Sequence, residues 1–340
     1  LGGAWVRGIQ SRGVGASLKH FAANNQETNR MTVSSEVDER TLREIYLPAF
    51  ESIVRREQPW TLMCAYNKIN GVYAAENHWL LTEVLRDEWG FEGLVVSDWG
   101  AVDQRVPALA AGLDLEMPGP QKDSTDAVVA AVRDGSLAET VLDVAVERIG
   151  RLVAKADRAK ADRASRDLTI ADRASRDLTD AAPEVSTSST HLAREVSTSS
   201  THRAAHHRLA REAAVESIVL LRNEGGILPL ATAQSIGVIG EFARTPRFQG
   251  AGSSQVVPTR VDTALDAISS VAPVEFAPGY GFSRRDDQAP LIAEAVAVAR
   301  RSDTVLFFVG LPEGDESEGY DRTYLELLAA HTRLIAAVVE

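Results

Sequence analysis

The stretch Gly93-Leu-Val-Val-Ser-Asp98-Trp-Gly100 joins a β-branched apolar run to a polar end. A short apolar run bounded by glycine predicts a strand that is buried on both faces. Similar runs at Gly15–Leu18 and Trp60–Ala65 precede it, separated by helical patterns. Buried strands that alternate with helices predict a parallel sheet, either a (β/α) barrel or an open doubly wound sheet. In both architectures the functional residues follow the carboxyl ends of the strands.

Two helices are predicted between these strands. Arg40–Arg56 has apolar residues at three- and four-residue spacings, which gives a helix one apolar face. Leu80–Trp89 reads as a second helix that stops at Gly90, and Leu113–Met117 as a further short strand that ends at Pro118.

Residues 156–205 differ from the rest of the chain in composition. Ala161–Thr169 recurs unchanged at Ala171–Thr179, and Glu184–His191 recurs at Glu195–His202. The segment is rich in Ala, Ser, Thr, Arg and Asp, and it has too few large apolar residues to build a core. We therefore predict a duplicated low-complexity linker.

The linker separates a first domain at 1–155 from a second at 206–340. In the second domain, apolar runs at Ser235–Gly240 and Thr304–Gly310 predict buried strands. Helical patterns predict three helices there: Glu212–Leu221, Leu291–Arg300 and Thr323–Glu340. The chain opens and closes inside predicted helices, so we expect further sequence on both sides.

The composition is that of a globular protein and excludes some partners. The formal net charge is −12, which argues against nucleic acid because phosphate binding needs clustered Lys and Arg. It is compatible with a neutral substrate such as a sugar. The single cysteine, Cys64, lies in an apolar run and is predicted to be a buried thiol. No apolar run approaches the ~20 residues of a membrane span. No signal peptide is present, so a cytoplasmic location is favoured, and a homo-oligomer is left open.

Several polar side chains follow the predicted strands. Asp98 comes directly after the apolar run, so it either serves catalysis or caps the next helix. Trp99 offers a flat apolar face that could stack on a sugar ring. Lys19 and His20 could donate hydrogen bonds to hydroxyl groups or be merely exposed, and the Tyr66 hydroxyl could orient a carboxylate. The polar cluster Asn24, Asn25, Glu27 and Arg30 is better explained as a hydrogen-bonded loop that organises the site than as catalytic residues.

The loop Glu313–Arg322 carries five carboxylates in ten residues. Mutual repulsion and partial desolvation would raise the pKa of one of them, as a general acid requires, although a solvated acidic loop explains the pattern as well. The spacing is not that of a calcium loop, and no zinc spacing or phosphate-cradling motif occurs. The strand at Ile236–Gly240 lacks the three-glycine dinucleotide fingerprint. We therefore expect no metal and no cofactor.

In their order along the chain, these motifs resemble glycoside hydrolase family 3, chiefly its bacterial β-glucosidase group. The motifs that carry the resemblance are Lys19-His20-Phe21, Asn25 with Glu27 and Arg30, Asp38-Glu39-Arg40, Met63-x-x-Tyr66-Asn67, Ser97-Asp98-Trp99-Gly100, Gly112-Leu113-Asp114, Asn223-Glu224-Gly225 and Glu318-Gly319-Tyr320-Asp321-Arg322. The resemblance covers nearly all of the chain except 156–205. It implies the C-terminal part of a (β/α)8 TIM-like barrel, followed by the first part of an α/β sandwich domain.

The resemblance also implies roles for single residues. Asp98 would be the catalytic nucleophile and Glu318 the general acid/base, with Glu316 as the alternative acid/base; in the family these two carboxylates come from different domains. The substrate-binding side chains would be Lys19, His20, Met63, Tyr66 and Trp99. The implied reaction is retaining hydrolysis of terminal non-reducing β-D-glucosyl residues through a covalent glycosyl-enzyme intermediate.

Other readings stay open within and beyond this family. β-Xylosidase activity is one rival; the β-N-acetylhexosaminidase branch tends to have Lys-His-Phe-Pro-Gly, where this chain has Lys19-His-Phe-Ala-Ala23. The family's barrel begins with strands whose Asp and Arg clamp the sugar, and Lys19 arrives too early for them to precede it. Leu327-Leu-Ala-Ala-His331 replaces the family's usual Leu-Pro-x-x-Gln. An inactive or sugar-binding fragment is therefore the alternative to an enzyme.

Overall fold

The protein, seen here as a computed structural model, has an α/β fold. The described residues are 1–119, 121–179, 189–231, 234–282 and 288–340, with the backbone alone for 164–202. They form two compact units, and the first comprises Leu1–Ala174 together with Glu318–Asp321. The second comprises Ser175–Ser317 and Arg322–Glu340. Each unit has its own parallel sheet and its own apolar core.

The first unit alternates short strands with helices. Its strands are β1 (Ser17–Phe21), β2 (Ser34–Ser35), β3 (Thr61–Cys64), β4 (Lys68–Ile69), β5 (Val72–Tyr73) and β6 (Leu94–Val96). Its α-helices are α1 (Gly2–Gln10), α2 (Glu39–Thr41), α3 (Pro48–Glu57), α4 (Arg105–Ala111), α5 (Lys122–Asp134) and α6 (Glu139–Thr179), of which the last continues into the second unit. Two π-helical segments, Leu42–Tyr46 and Trp79–Glu88, and a 3-10 turn at Ala74–Glu76 complete it.

The main sheet of this unit orders its strands β1-β3-β6, all parallel. Each strand therefore neighbours the next one in the chain. All three residues of β6 are buried, as the apolar run predicted. The predicted strands at Trp60–Ala65 and Gly93–Asp98 are confirmed with shorter bounds, whereas the first strand begins at Ser17 rather than Gly15. A smaller sheet, β2-β4-β5, lies beside it in the same unit.

The predicted helix Arg40–Arg56 is not continuous. It begins as α2, passes through the π-helical segment Leu42–Tyr46 and restarts as α3 at Pro48. Proline has no amide N–H to donate and is tolerated only in the first turn of a helix, so the α-helical ladder has to begin again there. The amide of Leu47 accordingly donates to the Leu42 carbonyl at 2.9 Å, one residue farther back than in an α-helix.

The predicted strand Leu113–Met117 is wrong in extent, since only Leu115 pairs with β6, through a single bridge to Val96. The backbone pairing with β6 stops after Leu115 because the next hydrogen bond is made by the Ser97 side chain and not by the backbone. The Ser97 hydroxyl accepts from the Met117 amide at 2.8 Å, and the Ser97 amide donates to the Leu115 carbonyl at 2.9 Å. This segment therefore holds the turn that follows β6.

A buried ion-pair cluster fixes β6 from the side. The Asp114 carboxylate, 1% exposed, accepts from Arg86 at 2.8 Å and from Arg148 at 2.9 Å. It also accepts from the Val95 amide at 2.8 Å, so one carboxylate joins a helix on each side to the strand. Burial lowers the pKa of Arg86 to about 10. The guanidinium therefore stays charged at neutral pH and depends on Asp114 for compensation.

We expect Asp114→Asn to destabilise the first unit, because the isosteric amide leaves two partly buried cations without their anion. Removing one partner of a buried pair costs about 3–5 kcal/mol. All five tryptophans lie at or before Trp99, so urea unfolding followed by tryptophan fluorescence reports on this unit. Asp126→Asn is the control, since its exposed pair with Lys122 is worth about 0–1 kcal/mol. Equal midpoints for the two variants would contradict this role of Asp114.

The second unit is built on the parallel sheet β8-β7-β9. Its strands are β7 (Ile236–Ile239), β8 (Val274–Ala277) and β9 (Thr304–Phe307), and its helices are α7 (Ser189–Ser217), α8 (Ala264–Ser269), α9 (Ala289–Ala299) and α10 (Ala329–Val339). Further 3-10 turns occupy Glu224–Gly226, Glu241–Ala243 and Glu313–Asp315. β7 is buried throughout and lies between its two neighbours. The chain thus adds β8 on one side of β7 and β9 on the other.

Several predicted bounds in this half change. The helix predicted at Glu212–Leu221 is the end of α7, which stops at Ser217, and the helix predicted from Thr323 begins at Ala329. Where the predicted linker is described, its backbone is helical, in α6 and α7. Residues 180–188, which include part of one duplicated copy, lie outside the described residues.

Two further sequence expectations concern the apolar parts of the chain. Cys64 is fully buried and burial raises the pKa of its thiol, so the prediction of a buried thiol is confirmed. Within the described ranges, no helix combines the length and the apolar character that a membrane crossing requires.

Candidate active site

The polar cluster of the first unit lies where the three parallel strands end. In the sheet register, Phe21 of β1 is opposite Cys64 of β3, and Met63 of β3 is opposite Val96 of β6. The carboxyl ends of the strands therefore lie at one edge. His20 on β1, Tyr66 after β3 and Asp98 after β6 meet there.

Asp98 is 8% exposed, and its two carboxylate oxygens face different partners. Oδ1 accepts from the Trp99 amide at 2.7 Å, and Oδ2 lies 3.3 Å from Nε2 of His20. The turn after Asp98 is closed by the Gly100 amide, which donates to the Met117 carbonyl at 2.9 Å. Gly100 has a φ of 76°, a conformation that suits glycine. The carboxylate is thus held in one orientation by backbone and imidazole.

Tyr66 is buried beside this carboxylate. Burial, and then the Asp98 carboxylate, raise the pKa of Tyr66 to about 12. The phenol therefore keeps its proton at neutral pH and can donate it in a hydrogen bond to Asp98. The guanidinium of Arg30 lies 4.6 Å from the centre of the Tyr66 ring, which fixes the ring from its face.

His20 is half-buried, and its environment favours the neutral imidazole. Burial, and then the positive charge of Lys19, lower the pKa of His20, while Asp98 opposes that shift. A neutral ring approaches the Asp98 carboxylate favourably when Nε2 carries the proton. The neighbouring Phe21 is fully buried and packs edge-on against Phe50 and Trp89, and this anchors the end of β1.

Glu318 belongs to the same compact unit as Asp98, although the two are far apart in the sequence. Its Oε2 lies 3.6 Å from one terminal nitrogen of the Arg30 guanidinium. The other terminal nitrogen of Arg30 pairs with Glu27 at 3.0 Å. Glu316 belongs to the second unit, where it lies 3.8 Å from Arg247. The structure therefore brings Glu318 into the unit that holds Asp98, and it does not bring Glu316 there.

The other predicted substrate contacts differ in exposure. Lys19 is exposed, Met63 is half-buried on β3, and Trp99 is 52% exposed. In the predicted loop of Asn24, Asn25, Glu27 and Arg30, Glu27 pairs with Arg30 at 3.0 Å and accepts from the Asn24 side-chain amide at 3.4 Å. That this loop organises the site stays a prediction. Sequence reasoning missed Asp321 as a partner of that loop, and the signal available was its place in the Glu318–Arg322 motif. Among the described residues, no three His, Cys, Asp or Glu side chains are grouped as a metal site would need.

We expect His20 to titrate below the ordinary value for histidine in the folded protein, because burial and Lys19 disfavour its charged form. Replacing Asp98 by Asn should lower the pKa of His20 further, since the carboxylate is what opposes the shift. The unfolded chain binds this proton more readily, so protonation of His20 destabilises the fold as the pH falls below roughly 6.5. Two-dimensional NMR of the seven imidazoles measures the shift, and an upward movement in Asp98→Asn would contradict the assignment.

The fold and the cluster together define a class, namely an α/β protein with a polar site at the carboxyl edge of a parallel sheet. The family model for the "Glycosyl hydrolase family 3 N terminal domain" matches residues 1–152. The model for the "Glycosyl hydrolase family 3 C-terminal domain" matches residues 218–340. The chain belongs to glycosyl hydrolase family 3.

Individual relatives are similar over almost the whole chain. Thermostable β-glucosidase B of Acetivibrio thermocellus is 44% identical in an alignment of length 344, and the match covers 100% of this chain and 41% of that protein. An exo-α-(1→6)-L-arabinopyranosidase of Bifidobacterium longum is 46% identical over 343 residues, covering 98% of this chain and 41% of that protein. The chain thus spans about two fifths of the length of these curated relatives.

Solved structures also match almost the whole of this chain and less than half of their own length. The family 3 β-glucosidase of Bifidobacterium adolescentis has a TM-score of 0.81 at 46% identity, with 99% of this chain and 44% of that one covered. β-Glucosidase 3B of Thermotoga neapolitana, solved in complex with α-D-glucose, has a TM-score of 0.77 at 33% identity, with 99% and 46% covered.

Proposed function

We propose that this chain is the catalytic part of a retaining exo-glycosidase that releases terminal β-D-glucosyl residues. The observation that carries the proposal is the Asp98 carboxylate, which is almost buried, held by the Trp99 amide and faced by His20. An ionised carboxylate with a fixed orientation at the edge of a sheet is what a glycosidase nucleophile requires. The similarity to proteins named β-glucosidases supports the sugar.

In the proposed mechanism, a carboxylate oxygen of Asp98 attacks the anomeric carbon and forms a glycosyl ester. The bond to the leaving oxygen breaks as the Glu318 carboxyl group gives that oxygen its proton. The Glu318 carboxylate then takes a proton from water, and the resulting hydroxide displaces Asp98 from the anomeric carbon. Two displacements return the original configuration.

The remaining site residues have proposed roles in holding the sugar. Lys19 donates to its hydroxyl groups, and neutral His20, whose Nε2–H faces Asp98, binds a hydroxyl group by accepting at Nδ1. The half-exposed Trp99 ring forms an apolar wall of the site, with Met63 beside the strand end. Tyr66 keeps its proton because its pKa is raised, so it donates to Asp98 and orients the carboxylate.

The proposed architecture follows the family. In this proposal residues 1–155 are the C-terminal part of a (β/α)8 TIM-like barrel. The chain-order sheet β1-β3-β6, which has no reversal of the doubly wound kind, supports it. Residues 206–340 form the first part of an α/β sandwich domain, and 156–205 connect the two. The substrate is a small-molecule or oligosaccharide β-glucoside.

A second candidate function is favoured by one specific comparison. The arabinopyranosidase of Bifidobacterium longum is as similar to this chain as any β-glucosidase named above. An α-L-arabinopyranosyl group would be cleaved by the same two carboxylates, so this candidate changes the sugar and not the chemistry.

We expect the purified chain to hydrolyse 4-nitrophenyl β-D-glucoside faster than the matching β-D-xyloside, β-N-acetylglucosaminide or α-L-arabinopyranoside. Asp98→Asn should lower kcat by about 10⁴-fold or more, as loss of a covalent nucleophile does in other hydrolases. Asp98→Gly with added azide should yield the α-glucosyl azide, because azide replaces the carboxylate in a single displacement.

The matched control is Asp103→Asn, which changes an exposed carboxylate on the loop that follows the site. It should retain the activity of the wild type. Equal hydrolysis by the wild type and Asp98→Asn would exclude Asp98 as the nucleophile. Preference for the α-L-arabinopyranoside would select the second candidate.

A further inference from the structure

Two segments of the first unit, far apart in the sequence, bind each other through reciprocal hydrogen bonds. The Asp321 carboxylate accepts from the amides of Glu27 at 3.1 Å and Thr28 at 2.8 Å. In return, the Asp321 amide donates to the Thr28 hydroxyl at 3.1 Å. The Gly319 amide donates to the Glu27 carboxylate at 2.9 Å. We call residues 27–28 and 318–321, joined in this way, the carboxylate lock.

The Asp321 carboxylate of the lock acts as an ionised acceptor. The amide hydrogen bonds from Thr28 and Glu27 lower the pKa of Asp321, so its carboxylate is charged at neutral pH. Hydrogen bonds to an ionised acceptor are roughly twice as strong as neutral ones. The backbone of the acid/base segment is therefore held by bonds stronger than those of an ordinary loop.

Glu27 makes a second hydrogen bond, to the Arg30 guanidinium that lies next to Glu318. The same Oε2 that accepts from Gly319 also accepts from Arg30 at 3.0 Å. The other terminal nitrogen of that guanidinium lies 3.6 Å from Glu318. The central carbon of the guanidinium lies 4.6 Å from the centre of the Tyr66 ring. One carboxylate thus fixes both the backbone next to Glu318 and the cation beside the Glu318 carboxyl group.

We propose that Glu27 is a positioning residue that holds Glu318 in place to protonate the leaving oxygen. This inference rests on the proposed function and assigns a role to a residue that never touches the sugar. The backbone of Gly319, with a φ of 89°, sets the direction of the chain immediately after Glu318. Releasing its amide from Glu27 leaves that direction less defined, while the Trp99 amide that holds Asp98 is not in contact with the lock.

The test compares two glucosides whose leaving groups differ in their need for a proton. Glu27→Gln in the full chain should lower kcat/KM for phenyl β-D-glucoside by on the order of tenfold or more, as part of the 10²–10⁴-fold that general acid catalysis contributes. For 2,4-dinitrophenyl β-D-glucoside, whose leaving group departs as an anion, the expected loss is under about threefold, since no general acid is needed. Asp321→Asn should behave in the same way. Glu51→Gln, which alters an exposed ion pair on α3, is the matched control and should leave both rates unchanged.

Hydrogen exchange gives a readout that does not require turnover. The Gly319 amide should exchange faster in Glu27→Gln, and the amides of Glu27 and Thr28 faster in Asp321→Asn, with exchange elsewhere in the unit unchanged. Equal losses on both glucosides, or no change in exchange at Gly319, would overturn the inference. A wild-type chain that cleaves no glycoside would remove the proposed function, and the exchange measurement would still decide whether Glu27 holds Gly319.

Discussion

The site depends on one buried carboxylate, Asp114, which is compensated by Arg86 and Arg148. Its Oδ2 also accepts from the amide of Val95 in the middle of β6. A buried charge of this kind is tolerable only with its partners in place, so the pairing ties β6 to the helical segments on either side. The strand then ends where the turn containing Asp98 has to begin.

The parallel sheet places the end of β6 next to the ends of β1 and β3, where the site residues lie. Because β1, β3 and β6 end at the same edge, His20, Tyr66 and Asp98 meet without any local sequence relation between them. Burial of the edge then sets their protonation. Tyr66 keeps its proton to a pKa of about 12, and His20 is held neutral. Both side chains face the Asp98 carboxylate, which we propose as the nucleophile.

The sequence predicted β1, β3 and β6 because each lies in an apolar run, and it predicted the edge because function follows strand ends. The two-residue strands β2, β4 and β5 have no such run and were not predicted. The sequence also did not predict the π-helical interruption before Pro48, which arises from a missing amide, or β8, of whose four residues only Ala277 is buried. The lock between Glu27 and Asp321 has no local pattern at all, since its partners lie far apart in the chain. Such pairings follow from tertiary packing, and the periodicity of apolar residues in the sequence does not predict them.

The central claim is that Asp98 forms the covalent bond to the sugar, and trapping that bond tests it most directly. Fluorine at C2 of a glucoside slows both displacements, and an activated leaving group such as 2,4-dinitrophenolate restores the first, so the intermediate accumulates. After incubation of the chain with 2,4-dinitrophenyl 2-deoxy-2-fluoro-β-D-glucoside, digestion and mass spectrometry should find one fluoroglucosyl group on the peptide that contains Asp98. A label on Glu318 or on another residue, with Asp98 unmodified, would contradict the account.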